Sequence, residues 1–302
     1  MLRQHLQGVY PILAMPYDQA GRINTEVLER EVEYLVEAKV DGLGIALASE
    51  VPMLTEAERE LALRTVVAQT RGRAKVVMNT SAAGTDLAVA YSRRAEELGA
   101  DALMVLPPPP ATTTPSETAD YFRQIALAVD LPIFMQDVGM SPVPPGLAAQ
   151  VSAATEHDWY IKVEAPPTPP RVTEAVAVAG ERLTVFGGAG GTFFIEELRR
   201  GAVGTMPGST IPEVFVRAWR LFQSGKVDEA EAELAQYATL LRLLGQGTGI
   251  SFYLCKEVLR LRGIFTNTMV RRPAVAPDEA TYSEIRRQVE ALGLLNAPVS
   301  VR

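Results

Sequence analysis

Two patterns of apolar positions alternate along the chain. Short runs dense in Val, Ile, Leu and aromatic residues recur eight times: GVYPILAM (8–15), DGLGIAL (41–47), AKVVMNT (74–80), ADALMVLP (100–107), LPIFMQD (131–137), WYIKVE (159–164), RLTVFGG (182–188) and GAVGTMPG (201–208). Their length and composition predict buried strands. Between them lie longer segments such as TEVLEREVEYLVEAKV (25–40), TEAERELALRTVVAQT (55–70), TDLAVAYSRRAEELGA (85–100) and PSETADYFRQIALAVD (115–130). There apolar residues return at i, i+3, i+4 and i+7, the stripe of an amphipathic helix. Thr55 ahead of Glu58, and Ser116 ahead of Glu117, predict helix starts with a carboxylate in the first turn. Gly99 predicts a stop.

Eight strand–helix alternations predict an α/β fold of the (β/α)8 TIM-barrel type over residues 1–225. A doubly wound sheet is the rival. It would open with a glycine-rich phosphate turn after the first strand, and MPYDQAGR holds no such motif. Beyond residue 225 the strands stop. SGKVDEAEAELAQYATLLRLLGQ, SFYLCKEVLRLRGI and PDEATYSEIRRQVEALGLL predict a C-terminal three-helix extension over residues 226–302. It is expected to pack on the barrel and not to be stable alone. The proline-rich loops LPPPPATTTP (106–115) and APPTPP (165–170) follow the fourth and sixth strands and read as rigid connectors on the barrel rim.

Composition narrows the functional classes. The 302 residues are 47% hydrophobic and 22% charged, an ordinary globular balance. A formal net charge of -7 provides no basic face for nucleic acid or an anionic membrane. Cys255 is the single cysteine, which excludes an intramolecular disulfide and fits a reducing compartment. With His5 and His157 as the only histidines, no N/S metal site is expected. No apolar run approaches the roughly 20 residues of a membrane helix, and the opening segment lacks the marks of a signal peptide. The expectation is a cytoplasmic protein that acts on a small molecule.

The sixth strand breaks its own pattern. In WYIKVE, Lys162 and Glu164 stand among residues suited to burial, and charges are costly to bury. Alternation puts Tyr160, Lys162 and Glu164 on one face and Trp159, Ile161 and Val163 on the other. The second set is uniformly apolar and suits the strand–helix interface. The first set therefore faces the barrel interior, with Lys162 and Glu164 towards the C-terminal mouth, where this fold builds active sites. Two readings stand open at this point. The pair is a buried ion pair filling the upper barrel, or Lys162 is a nucleophile. A dry pocket disfavours the ammonium, and the neutral amine can attack a ketone. The resulting Schiff base is an electron sink for a carbanion on the neighbouring carbon.

Seven segments, in order and spacing, resemble one family over nearly the whole chain. GVYPILAMPYDQAGRIN is similar to its opening strand and T-P-F-x-x-x-G-x-I-D turn. DGLGIALASEVPMLTEAER is similar to its G-T-T-G-E-x-x-x-L-T-x-E-E-R segment, and GADALMVLPPP to its G-A-D-x-x-x-x-x-P-P-Y. DLPIFMQDVG stands where the family has D-L-P-x-x-x-Y-N-x-P, and YIKVEA where it has G-I-K-E-A. RRGAVGTMPG and CKEVLRLRGI…VRRP are similar to its eighth strand and its C-terminal helix. The family is that of dihydrodipicolinate synthase and N-acetylneuraminate lyase, class I lyases that work through a Schiff base. The resemblance implies that Lys162 is the nucleophile, that the substrate is a 2-keto acid (with an aldehyde as second partner in an aldolase), that no cofactor is needed, and that the protein is a homotetramer or homodimer.

The departures from the pattern are specific. The threonines of G-T-T-G-E, which help bind the keto-acid carboxylate in the family, are replaced by the run Ala46, Leu47, Ala48, Ser49 before Glu50. The fifth-strand tyrosine that relays protons in the family is Gln136, and the next residue is Asp137. The tyrosine of the P-P-Y-Y loop is absent, and VGMSPVPPG carries no basic residue. A dihydrodipicolinate synthase is therefore not the expectation. The expected activity is a pyruvate-dependent aldolase, or an aldolase or dehydratase of 2-keto-3-deoxy sugar acids. Lys162, Glu164 and Gln136 are the expected catalytic residues. Ser49, Ala48, Asn79, Gly187, Gly188 and Met206 are the expected substrate-binding positions, with Thr80 also at the mouth. Glu50 reads as a loop brace, and Asp137, of opposite parity to Gln136, as a loop or helix-capping residue. GGAGG (187–191) reads either as a tight turn or as an anion site. Two rivals remain. One is a repurposed pocket that binds a small carboxylate as a sensor or scaffold. The other is an enzyme that clamps a sugar phosphate with GGAGG, with Arg199 and Arg200 facing solvent.

Overall fold

The structure is a computed structural model that describes residues 5–108, 113–247 and 249–297. Pro109 and Pro110 of the rim loop lie outside the described residues. The eight predicted strands are present as β1 (Gly8–Val9), β2 (Gly42–Ile45), β3 (Lys75–Asn79), β4 (Ala102–Val105), β5 (Ile133–Asp137), β6 (Trp159–Val163), β7 (Leu183–Gly187) and β8 (Gly204–Thr205). Helices α1 (Thr25–Glu37), α2 (Glu56–Thr70), α3 (Thr85–Glu97), α4 (Pro115–Ala126), α5 (Pro145–Ala153), α6 (Thr168–Val178), α7 (Phe194–Leu198) and α8 (Pro212–Gln223) follow the strands in turn. All strand pairs are parallel, in the order β1-β8-β7-β6-β5-β4-β3-β2. Ile12 bridges Gly44 past the end of β1, and Gly44 N–H donates to Pro11 O at 2.9 Å, which brings β1 against β2 and rounds the sheet into a barrel. This is the (β/α)8 fold, and the doubly wound alternative is excluded.

Strand parity divides the core into two layers. Trp159, Ile161 and Val163 pack outward with residues of the surrounding helices. Tyr10, Val77, Met104, Phe134, Tyr160, Phe186 and Met206 fill the interior. Four of these rings form a closed floor. Phe134 stacks on Tyr160 with centroids 4.6 Å apart, and Phe186 meets Phe134, Tyr10 and Tyr160 edge-on. Burial foremost pushes the Tyr10 and Tyr160 phenols up, so both stay neutral.

Local signals set the helix starts. Thr55 caps α2, with Glu58 reaching back to the Thr55 N–H at 2.9 Å. The start of α4 differs from the expectation. Thr114, not Ser116, is the cap, and it closes a capping box with Glu117. Pro115 occupies the first turn, where no backbone N–H is required, so the helix begins before Ser116.

The C-terminal segment differs in one respect. The first predicted helix is two, α9 (Val227–Ala235) and α10 (Ala238–Leu244), followed by α11 (Ile250–Leu261) and α12 (Glu279–Ala291). The break at Gln236–Tyr237 lets α9 pack on α8 while α10 turns to α11 and α12. One straight helix cannot reach both partners. No helix among the described residues is long and apolar enough to cross a membrane.

Candidate active site

The site forms where β5, β6 and β7 end. Lys162 and Gln136 are direct neighbours in the β5–β6 register, and Lys162 shares the inward parity of Tyr160. Its stem therefore rises from the aromatic floor, and only 3% of its side chain is exposed. Glu164, the first residue past β6, stays tied to β5 because its N–H donates to Asp137 O at 2.8 Å. Glu164 Oε2 lies 2.9 Å from Lys162 Nζ and accepts from Gln136 Nε2 at 2.8 Å. Its Oε1 accepts from the Ala189 N–H at 3.2 Å. The three residues expected to be catalytic thus form one contiguous group at the mouth.

The GGAGG loop supplies the wall behind this group. A Cβ on Gly188 would fall 2.4 Å from Glu164 Cγ, so only glycine lets the carboxylate lie flat there. Gly190 and Gly191 take left-handed backbone. The Ala189 N–H already serves Glu164, the protein's own anion. The geometry is that of a tight turn. α7 begins only at Phe194 and is a single short turn of helix. Arg199 and Arg200 are exposed, and Arg199 pairs with Glu231.

The remaining expected residues divide. Asn79 is buried on the inward face of β3. Its Oδ1 accepts from Ser81 N–H, and its Nδ2 has no hydrogen-bond partner among the described residues. Gln136 Oε1 is also without one. Met206 belongs to the interior cluster, Ala48 packs against it, and Gly187 ends β7. Ser49 is fully buried. Its hydroxyl donates to Leu13 O at 2.6 Å and accepts from Ala46 N–H, so its bonds go to backbone that joins β1 to β2. Thr80 turns outward and shares a hydrogen bond with Ser92 of α3. Asp137 also turns outward. It pairs with Arg171 of α6 at 2.5 Å and accepts from Val143 N–H, a bracing role that its parity predicts. Glu50 braces as expected, with Lys256 Nζ at 2.5 Å and Arg271 N–H at 2.8 Å.

Two residues at this end of the barrel carried no sequence signal. Arg171 is far from Asp137 along the chain, and Glu197 reads as an exposed helix residue but is fully buried behind β7. No group of three or more His, Cys, Asp or Glu side chains among the described residues could hold a metal ion.

Comparison with known proteins gives the family. The model of the family described as the dihydrodipicolinate synthetase family matches residues 5–292. The chain is similar to L-2-keto-3-deoxyarabonate dehydratase of Azospirillum brasilense, 26% identical over 301 residues, which covers 95% of this chain and 96% of that one. It is also similar to 4-hydroxy-tetrahydrodipicolinate synthase of Parabacteroides distasonis, 28% identical over 300 residues, covering 96% and 98%. The solved dihydrodipicolinate synthase of Aquifex aeolicus superposes with a TM-score of 0.90 at 22% identity, over 97% of this chain and all of that one, a likeness of fold. The chain belongs to the dihydrodipicolinate synthetase family and is a lyase.

Proposed function

We infer that the protein eliminates water from a 2-keto-3-deoxy sugar acid through a Schiff base on Lys162. The observation that carries this reading is the contact of Glu164 Oε2 with both Lys162 and Gln136. It gives the nucleophile a carboxylate that can move protons, held by the glutamine that stands at the position of the family's tyrosine. Similarity to a 2-keto-3-deoxy sugar acid dehydratase over 95% of the chain supports the substrate class.

The chemistry follows from the group. Glu164 takes a proton from Lys162, and the amine adds to the C2 ketone; Glu164 returns that proton to the carbinolamine hydroxyl, which leaves as water, so that an iminium and an ionised Glu164 remain. Glu164 next removes a proton from C3, and the electrons move into the C2–N unit as an enamine. The same carboxyl then protonates the C4 hydroxyl, which leaves as water while the enamine electrons form the C3–C4 double bond. Hydrolysis of the iminium frees Lys162. Gln136 Oε1 and Asn79 Nδ2 offer an acceptor and a donor for substrate oxygens; leaving such buried groups unpaired costs about 1–3 kcal/mol each. The aromatic floor closes the barrel beneath Lys162, so the amine is reached only from the mouth. The reaction needs no metal or organic cofactor. We also propose a cytoplasmic homo-oligomer, on the resemblance to the family.

Borohydride reduction in the presence of pyruvate, followed by intact mass and peptide mapping, tests the reading. The expected result is one reduced adduct on Lys162. No adduct with pyruvate or with longer 2-keto acids overturns it in favour of a binding pocket. Release of pyruvate and an aldehyde, rather than water, from 2-keto-3-deoxy acids converts it to an aldolase.

A further inference from the structure

The chemistry above does not use every buried carboxyl at this end of the barrel. Glu197 of α7 lies fully buried behind the end of β7. The Thr168 hydroxyl, at the start of α6, donates to Glu197 Oε1 at 2.7 Å. A Cβ on Gly187 would fall 1.8 Å from Glu197 Oε2, while a Cβ on Gly188 would fall 2.4 Å from Glu164 Cγ. Successive residues of a strand face opposite sides. Gly187 and Gly188 therefore form a partition with no side chains of its own, with Glu197 against its outer face and Glu164 against its inner face. Glu197 could not lie so close to the strand if Gly187 carried a side chain, nor Glu164 if Gly188 did.

We propose that Glu197 is a positioning residue that acts through the Gly187–Gly188 pair to hold Glu164 against Lys162. The inference rests on the Schiff-base reading above. Uncharged, Glu197 fills the space behind Gly187 and lets the Glu164 carboxylate rest on Gly188 and the Ala189 N–H. Ionised, it sets a second negative charge behind Glu164 and repels it from that seat. The charged groups acting on Glu197 are Glu164 across the strand and Glu196 on its own helix, both anionic; from α6 it meets Thr168, and from β7 the glycine backbone. Burial is the main cause that pushes its carboxyl up to about 8; the Thr168 hydroxyl opposes the shift, and Glu164 and Glu196 add to it. At neutral pH Glu197 is mostly the neutral acid, and the switch to the repelling form falls in the mildly alkaline range.

Deuterium exchange of the pyruvate methyl group, followed by NMR in D2O, isolates the step. It requires the Schiff base and the base that removes the C3 proton, and no second substrate. Across roughly pH 6 to 9.5 the unaltered protein is expected to lose exchange on the alkaline side. Glu197→Gln keeps a carbonyl for Thr168 and cannot ionise, so the alkaline loss flattens. Thr168→Val removes the hydroxyl that opposes the upward shift, so the loss moves to higher pH. An alkaline loss in Glu197→Gln identical to that of the unaltered protein overturns the inference while a borohydride-trapped Lys162 adduct still forms. Absence of that adduct in the unaltered protein overturns the Schiff-base reading, and this inference with it.

Discussion

Lys162 Nζ and Glu164 Oε2 stand 2.9 Å apart at the mouth of the barrel, and backbone holds each of them: Lys162 lies within β6 beside Gln136, and the Glu164 N–H is tied to Asp137 O of β5. A pair seated in this way survives loss of one charge as geometry while losing its chemistry. Glu164→Gln keeps the shape and the contact to Gly188 but cannot accept a proton. We expect the borohydride-trapped adduct on Lys162 to persist while kcat falls by about 10²–10⁴. Lys162→Ala removes the adduct altogether. Intact mass and steady-state rates on the same samples check both.

Gly188→Ala tests the seat of the carboxylate. The added Cβ lies 2.4 Å from Glu164 Cγ. Glu164 is half-buried and can swing towards solvent, so the strain is relieved by moving the catalytic group. The expected result is a drop in kcat of at least about tenfold with a melting temperature changed by only a few degrees, since a displaced surface-side carboxylate costs on the order of 1 kcal/mol.

Parity made the active face legible. Period-two alternation in WYIKVE is enough to send Trp159, Ile161 and Val163 outward and Lys162 inward, because a strand between a barrel interior and a helical shell has only two sides. The same rule sent Asp137 outward, but its partner Arg171 was not legible, since ion pairs between distant segments leave no local pattern. Ser49 was a substrate candidate as the one hydroxyl left in its segment; the structure gives that hydroxyl to Leu13 O. Glu197 and Glu31 were hidden for a related reason. A glutamate on an amphipathic helix normally faces water, and only the packed barrel shows these two buried.

The C-terminal extension is tied to the barrel by charge as well as by apolar packing. Lys256 of α11 and Glu50 form an ion pair with side chains 1% and 0% exposed, and Lys256 also donates to Met269 O. Arg262 pairs with Glu213 of α8, and Arg271 with Glu58 of α2. We propose that residues 226–302 do not fold away from the barrel, and that a chain ending at residue 225 aggregates. Lys256→Met leaves Glu50 buried opposite an apolar group and is expected to cost about 3–5 kcal/mol in chemical denaturation. The double variant Lys256→Met/Glu50→Leu removes both charges and should lose clearly less.

Glu31 makes stability depend on pH. It is fully buried on α1, where it accepts from the Ala14 N–H at 2.9 Å and from the Ser209 hydroxyl at 2.6 Å. Burial is the main cause that raises its carboxyl from 4.5 to about 8, with the Ser209 and Ala14 donors opposing. The folded protein thus holds a proton that the unfolded chain releases near its ordinary value. Between about pH 4.5 and 8 the native state binds more protons, so Glu31's contribution to stability is fully present below that window and is lost as pH rises through it. The slope from one such group is at most about 1.4 kcal/mol per pH unit. Glu31→Gln keeps an acceptor for Ser209 and Ala14 and removes the titration. Denaturant unfolding from roughly pH 5 to 8.5 should show a shallower decline for Glu31→Gln than for the unaltered protein. Because the neutral amide avoids burying a charge, the variant should be the more stable of the two at the alkaline end.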